Sequence, residues 1–349
     1  MALLAAAGLP ALSAAQSPAA SGAASLAANG PAPDEAAIVL VLPLSSAAYG
    51  RAAAAVKAGF LAAADAANER PSVIAHGDDD VLVAFAQAAK GGARIIVGPL
   101  VRDDLRIVVA AGIDLPLTLA LNQLDDGVAM PPNMYALALA VDSEARQLAR
   151  TARDAGALSV AVISSDAPLQ RRFAAAFIDA WLLLGGAAPV SLHYDRAPEM
   201  LALLRRELGR TPVDAVLLAV DSADASLVKP YLGATATYAG SQVNDRQPRE
   251  ALRDLDDVRF VEIPWLAEPD AMEFANIPRP DFPNASFDRL YALGLDAYRV
   301  AQALADGRPE ALDFDGATGR LTLERSRQYV REGRMLQFRA GQIAPIVTR

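Results

Sequence analysis

The chain has 349 residues, 53% of them hydrophobic and 21% charged, with 32 basic against 41 acidic side chains for a formal charge of −9. That composition excludes a disordered chain, and the length suits two compact units of roughly 100–200 residues each. The acidic balance argues against a broad nucleic-acid footprint, which needs a Lys/Arg-dominated face. Cysteine is absent, so disulfides, thiolate metal sites and a cysteine nucleophile are excluded, and with only His76 and His193 a histidine triad or multi-histidine metal centre is not expected.

Residues 1–15 are apolar and alanine-rich, and Ser13-Ala14-Ala15 offers the small residues that a signal peptidase prefers. The segment reads as the back half of a signal peptide whose charged start lies upstream; a low-complexity tail is the alternative. Residues 16–34 have the Ala/Ser/Gly/Pro composition of a flexible tether. From residue 36 strands and helices alternate. The continuous apolar run Ile38-Val39-Leu40-Val41-Leu42 predicts a parallel strand buried on both faces. A helix over 50–68, strand 72–75, helix 80–89, strand 94–97, helix 103–111 and strand 117–120 follow. Residues 122–135 break the rhythm with Asp, Gly and Pro. It restarts with helix 143–155, strand 159–163, helix 169–184, strand 189–192, helix 198–208, strand 215–219 and helix 223–231. The rest predicts a strand at 258–263, a Pro-rich stretch through Pro283, a helix at 287–305, and strands 335–339 and 343–347 turned by Ala340-Gly341. Strands alternating with helices of this length predict βαβ units. The fold class is α/β, with two doubly wound parallel-sheet lobes and an interlobe cleft. The expected division is 36–138 plus 268–312 for the first lobe and 139–267 plus 313–349 for the second, behind a signal-like segment and linker at 1–35.

Several phrases resemble a known family. Residues 38–49 (IVLVLPLSSAAY), Ile95-Ile96-Val97-Gly98-Pro99-Leu100 and Leu117-Thr118-Leu119-Ala120-Leu121-Asn122 look like the type I periplasmic-binding-protein fold. The stretch Phe287-Asp288-Arg289-Leu290-Tyr291-Ala292-Leu293-Gly294-Leu295-Asp296-Ala297-Tyr298-Arg299, then Gly316-Ala317-Thr318-Gly319-Arg320-Leu321 and Gln337-Phe338-Arg339-Ala340-Gly341-Gln342, is more discriminating. It is similar to the C-terminal domain of the LppC/LpoA lipoproteins, activators of penicillin-binding proteins. Pro264-Trp265 fits the same pattern. The resemblance implies a regulator without catalysis, placed in the periplasm and stimulating a bifunctional, class A penicillin-binding protein by contact. The family's lipid-bearing cysteine and helical-repeat N-terminal domain have no counterpart in this sequence, so attachment to the inner leaflet of the outer membrane is expected only with a lipidated start upstream.

Ligands of open α/β sheets bind beyond the carboxyl ends of the strands, where helix N-termini favour anions. That rule selects Ser45, Ser46, Tyr49, Gly98, Pro99, Asn122 and Gln123 in the first lobe, and Ser165, Asp166, Asp221, Ser241 and Gln242 in the second, as lining of one cleft. A small ligand there, with Asp166 or Asp221 meeting an ammonium group, would make the chain a solute-binding receptor for an amino acid or similar anion feeding a transporter. The competing reading of the serines is ordinary helix capping. Asp78-Asp79-Asp80 reads as a helix start and His76 as structural, so no metal and no cofactor is expected. Arg320, Arg325, Arg327, Arg331 and Arg334 make the C-terminal segment locally basic. They form either a solvated face or a docking patch for an acidic partner. No nucleotide-binding, nucleophile-elbow or zinc-protease motif occurs in the chain.

Overall fold

The computed structural model describes residues 37–125, 127–197, 199–246, 249–308 and 315–346. The expected signal segment and linker, and the end of the last expected strand, lie outside the described residues. The first lobe is an eight-stranded sheet in the order β11-β12-β13-β5-β4-β3-β1-β2. Its members are β1 (Ile38–Leu42), β2 (Ser72–Ala75), β3 (Ile95–Val97), β4 (Leu117–Ala120), β5 (Met134–Leu137), β11 (Asp315–Gly316), β12 (Gly319–Leu323) and β13 (Gln328–Glu332). The second is a seven-stranded sheet in the order β15-β14-β10-β9-β8-β6-β7. It consists of β6 (Val160–Ser164), β7 (Val190–His193), β8 (Ala215–Ala219), β9 (Ala236–Ala239), β10 (Val258–Glu262), β14 (Arg334–Arg339) and β15 (Gln342–Pro345). Pairing is parallel through the centre of each sheet, and β11-β12-β13 and β10-β14-β15 add antiparallel edges.

The sheets are covered on both faces, which is why β1 and β8 read as unbroken apolar runs with every residue buried. Helices α1 (Gly50–Ala66) and α10 (Ala285–Ala305) cover one face of the first sheet; α2 (Val81–Lys90) and α3 (Arg102–Ala110) cover the other. In the second lobe α4 (Val141–Asp154) and α5 (Pro168–Leu183) cover one face, opposite α6 (Met200–Arg210), α7 (Ser222–Val228) and α8 (Arg249–Arg253). Helices α1 and α10 approach closely because each carries a glycine at the contact. A Cβ on Gly59 would lie 1.9 Å from the Tyr291 carbonyl oxygen, and one on Gly294 would lie 2.1 Å from that of Val56. Asn284 starts α10 by accepting hydrogen bonds from the Ser286 and Phe287 N–H groups.

Three departures from the sequence reading matter. Strand β5 begins within the last two residues of the segment expected to break the rhythm, and β9 is an additional strand that completes the second sheet. The expected lobe boundary at residue 313 is corrected: β11, β12 and β13 belong to the first sheet, β13 pairing parallel with β5 through Gln328↔Ala136 and Tyr329↔Leu137. Ala317, Leu321 and Tyr329 bury themselves in the core beneath α10, which draws the hairpin there. Over the described residues the chain thus crosses between sheets three times, at 138–140, at Ile263 and at Gly333. The Pro-rich stretch is not a mere connection: α9 (Pro264–Ala267) and Phe274 return to the first-lobe core, where the Trp265 and Phe274 rings meet edge to face at 5.4 Å.

Candidate functional site

A cavity of about 380 Å³ opens between the lobes. Tyr49 of α1, Leu100 to Asp103 at the start of α3, Leu121 to Gln123 after β4, the first crossing, Leu169 and Arg172 of α5, and Leu290 and Leu293 of α10 line it. Its walls are mainly apolar, and its charged groups already have protein partners. Arg172 meets Asp142 twice, at 3.1 and 3.0 Å. Asp103 holds Arg106, and Arg102 lies 3.5 Å from Asp125. Gln123 donates to the same Asp142 carboxylate at 3.4 Å. A zwitterion entering here would have to displace one of these pairs to find a counter-charge.

Of the twelve residues that the strand-end rule selects, Tyr49, Asn122 and Gln123 reach this cavity. Asn122 is spent on the chain itself, donating to the Leu100 carbonyl at 2.9 Å and accepting from the Gln123 N–H. Ser46 accepts from the Tyr49 N–H at 3.0 Å in the turn that leads into α1, and Ser45 donates its backbone N–H to the His76 carbonyl. Gly98 and Pro99 follow β3 close against β1, where a Cβ on Gly98 would meet the Val41 carbonyl at 2.2 Å. In the second lobe the expectation of a shared lining is corrected. Asp221 caps α7 by accepting from the Asp224 N–H and lies 3.4 Å from Arg196. Asp166 is exposed beside His193, Ser165 donates its N–H to Ala219, Ser241 is buried in a different network, and Gln242 borders a space with no room for water. These strand ends turn toward their own lobe's loops because helix caps and local ion pairs satisfy them there.

His76 is buried, with Nδ1 2.8 Å from the Gly77 carbonyl oxygen and no partner for Nε2. Burial raises the carboxyl of neighbouring Asp104 above the ordinary range, with His76 opposing the shift. Among the described residues no group of three His, Asp or Glu side chains could hold a metal.

The most developed polar structure lies at the three crossings, and the sequence reading did not find it. Glu144 of α4 accepts from Arg331 of β13 at 2.8 Å and from the Ser241 N–H and Oγ at 3.0 and 3.1 Å. Arg289 of α10 donates to the Ser241 and Asn244 carbonyls at 2.8 and 3.0 Å and takes Glu262 in a two-pronged grip. Asn244 and the Ile263 N–H complete the Glu262 carboxylate at 2.6 and 2.9 Å. Burial is the strongest influence on the Arg289 guanidinium and pulls it down, but Glu262, Glu144 and Asp245 together hold it above its ordinary value. At the third crossing, the Gln147 amide donates to the Gly333 carbonyl at 2.8 Å and accepts its N–H at 2.9 Å. First-lobe elements β13 and α10 are thereby bonded to second-lobe elements α4 and the β9–β10 loop out of water.

This frame also corrects the basic docking patch. Arg331 is buried in the frame and cannot meet a partner. Arg334 is engaged by Glu268 at 2.8 Å and Asp315 at 3.3 Å, and Arg327 donates to the Pro132 carbonyl. Arg320 and Arg325 are exposed. The five therefore do not form one face.

Over residues 32–341 the chain matches the family model described as "LppC putative lipoprotein". The chain belongs to the LppC family. Among curated LppC-type relatives, the penicillin-binding protein activator LpoA of Edwardsiella piscicida is 27% identical over 306 residues, covering 75% of this chain and 44% of that protein. The chain thus spans about half the length of the curated relatives it matches. A solved structure from Chromobacterium violaceum, described as a branched-chain amino acid ABC transporter, is 34% identical with a TM-score of 0.75, over 86% of this chain and 99% of that one. The LpoA (YraM) C-domain of Haemophilus influenzae, described as a regulator of PBP1A, superposes with a TM-score of 0.78 at 23% identity, over 89% of this chain and 99% of that one. This LppC-family chain has the two-lobed fold of the type I periplasmic binding proteins.

Proposed function

We propose that this chain is a non-catalytic regulatory domain of the cell envelope, which works in the periplasm by binding a class A penicillin-binding protein and raising its cross-linking activity. The observation that carries the reading is the buried frame of Arg331, Glu144, Ser241, Arg289 and Glu262 across the lobes. A receptor that closes on a solute swings its lobes about the crossings. Here such a swing would strain the buried charge-assisted bonds that join the lobes. A two-lobed body held in one arrangement suits recognition by its surface. The activator names of curated relatives in the family support the same reading. The test is to mix the purified chain with its own organism's bifunctional synthase and measure the cross-linked fraction of the peptidoglycan product. Stimulation with binding supports the reading, and neither effect overturns it. Attachment to the inner leaflet of the outer membrane belongs to the same proposal and is tested by the gene sequence upstream of Met1, where a lipid-accepting cysteine is required.

One observation favours a second reading. The Chromobacterium violaceum protein is described as a "putative branched-chain amino acid ABC transporter", and this chain covers 99% of it. In a solute receptor, Tyr49 and Gln123 would supply polar contacts of the cavity, and Arg172 would do so on leaving Asp142. A ligand at 100 times its Kd would stabilise such a receptor by about 2.7 kcal/mol. A thermal-shift screen across amino acids that stays flat rejects it.

A further inference from the structure

We propose that the groove between α4 and α5, on the outer face of the second lobe, is where the chain receives an acidic segment of its synthase partner; the inference rests on the regulatory reading above. The groove has a volume of about 380 Å³; Arg146, Arg150 and Arg172 edge it together with Asp142 and Asp179, an excess of one positive charge, and Leu183 stands at its end. Arg172 is neutralised by Asp142. Arg146 and Arg150 are not matched in this way. Among the described residues Arg146 reaches only the Ser143 hydroxyl, at 3.4 Å, and Arg150 meets Glu332 at 3.4 Å with both side chains half exposed, a pair worth about 0–1 kcal/mol. Arg153 extends the column and lies over the Trp181 ring at 5.3 Å.

Arginines four residues apart on one helix face repel, by roughly 0.2–0.5 kcal/mol per pair. The arrangement is unfavourable in the isolated chain and becomes favourable when carboxylates lie along it. The spacing sets the fit: Arg146 and Arg150 are displaced by about 6 Å along the axis, which matches acids four apart on a helix or two apart on a strand. The apolar half of the groove points the same way. Leu183 is 88% exposed, the highest value for a large apolar side chain among the described residues, and it sits where an apolar side chain of the incoming segment would cover it. Charge decides between occupants. A second copy docking by this face on a two-fold axis would set arginine against arginine.

The test measures binding of the full chain to the full-length synthase over a range of salt. R146E/R150E is compared with R205E/R206E, which makes the same charge change on α6, across the lobe. The expected result is at least about a tenfold loss of affinity and a flattened salt dependence for the first pair only. L183D, which leaves the arginines in place, is expected to weaken binding without changing the salt dependence. If R146E/R150E lowers the melting temperature, R146Q/R150Q carries the comparison. Equal binding by the two reversed pairs overturns the groove while leaving the regulatory reading intact. Failure of the unaltered chain to bind the synthase overturns both. Binding to phosphatidylglycerol vesicles that R146E/R150E abolishes, with synthase binding unchanged, assigns the groove to lipid and overturns the proposal.

Discussion

Arg289 of α10 grips Glu262 at the end of β10 through two hydrogen bonds, Nε to Oε1 at 3.0 Å and Nη2 to Oε2 at 2.7 Å, in a place where water does not reach. The pair sits one residue before the second crossing, so its geometry is also the geometry between the lobes. Removing one partner leaves a buried charge without compensation. Arg289→Met is expected to cost about 3–5 kcal/mol of stability, measured by urea denaturation. Replacing both partners with apolar residues of similar volume should cost much less, because no charge is then stranded. Equal losses in the single and double variants would contradict this.

Gln147 fixes the third crossing by satisfying both backbone polar groups of Gly333. Gln147→Leu strands a buried N–H and a buried carbonyl, at about 1–3 kcal/mol each. Amide exchange at Gly333 should accelerate together with the drop in unfolding midpoint. A stability loss without faster exchange at Gly333 would show that the clamp is not what matters there.

Gly294 sits where α10 crosses α1, and an added methyl would lie 2.1 Å from the Val56 carbonyl oxygen and 2.7 Å from the Phe60 N–H nitrogen. Both neighbours are backbone and cannot rotate away. Alanine in an ordinary helix interior stabilises by roughly 0.5–1 kcal/mol over glycine. Here Gly294→Ala should instead destabilise by about 1–3 kcal/mol or more, from separation of the two helices. Gly209→Ala, at a helical position whose added methyl meets open space, is the control and should not destabilise.

What the sequence made legible followed from local pattern. The run at 38–42, the alanine-rich helix after it and the long helix before residue 305 announce themselves by period and length, and they build the sheets and their covers. Strand β5 was hidden because Met134 to Leu137 is four residues long and follows Pro131-Pro132-Asn133, which reads as a turn. The edge hairpin was assigned to the wrong lobe because its pairing with β5 links residues almost two hundred apart. The same distance hid the frame: Arg331 and Glu144 are separated by 187 residues and Ser241 and Glu144 by 97. A local signal did exist. In Gln328–Glu332 the inward positions alternate, and Arg331 falls on the inward side with Tyr329; in α10 Asp288, Arg289 and Asp296 interrupt an apolar face. Charges placed where period predicts core were better indicators than serines at strand ends, which bond within their own lobe's loops or, for Ser241, within the buried frame.

Asp296 gives a pH test. It is fully buried, and burial raises its carboxyl above the ordinary aspartate value of 3.8 against the hydrogen bonds from Thr318 and Ala317. The folded state therefore holds this proton more tightly than the unfolded one, so the contribution is greatest below 3.8 and declines as pH rises toward the folded value. Asp296→Asn removes the titration. The stability advantage of the unaltered chain over this variant is expected to narrow as pH rises above the ordinary carboxylate range. Widening over that interval would reverse the sign assigned to the buried carboxyl.

The central claim is that the lobes are held in one arrangement and that the chain acts through its surface. Because the chain has no cysteine, spin labels can be placed at single introduced cysteines, V83C on α2 and L227C on α7, both exposed and on different lobes. Pulsed electron-spin distance measurement should give one narrow distribution that saturating amino acids leave unchanged. Two populations, or a shift of several ångströms on adding an amino acid, would contradict the account.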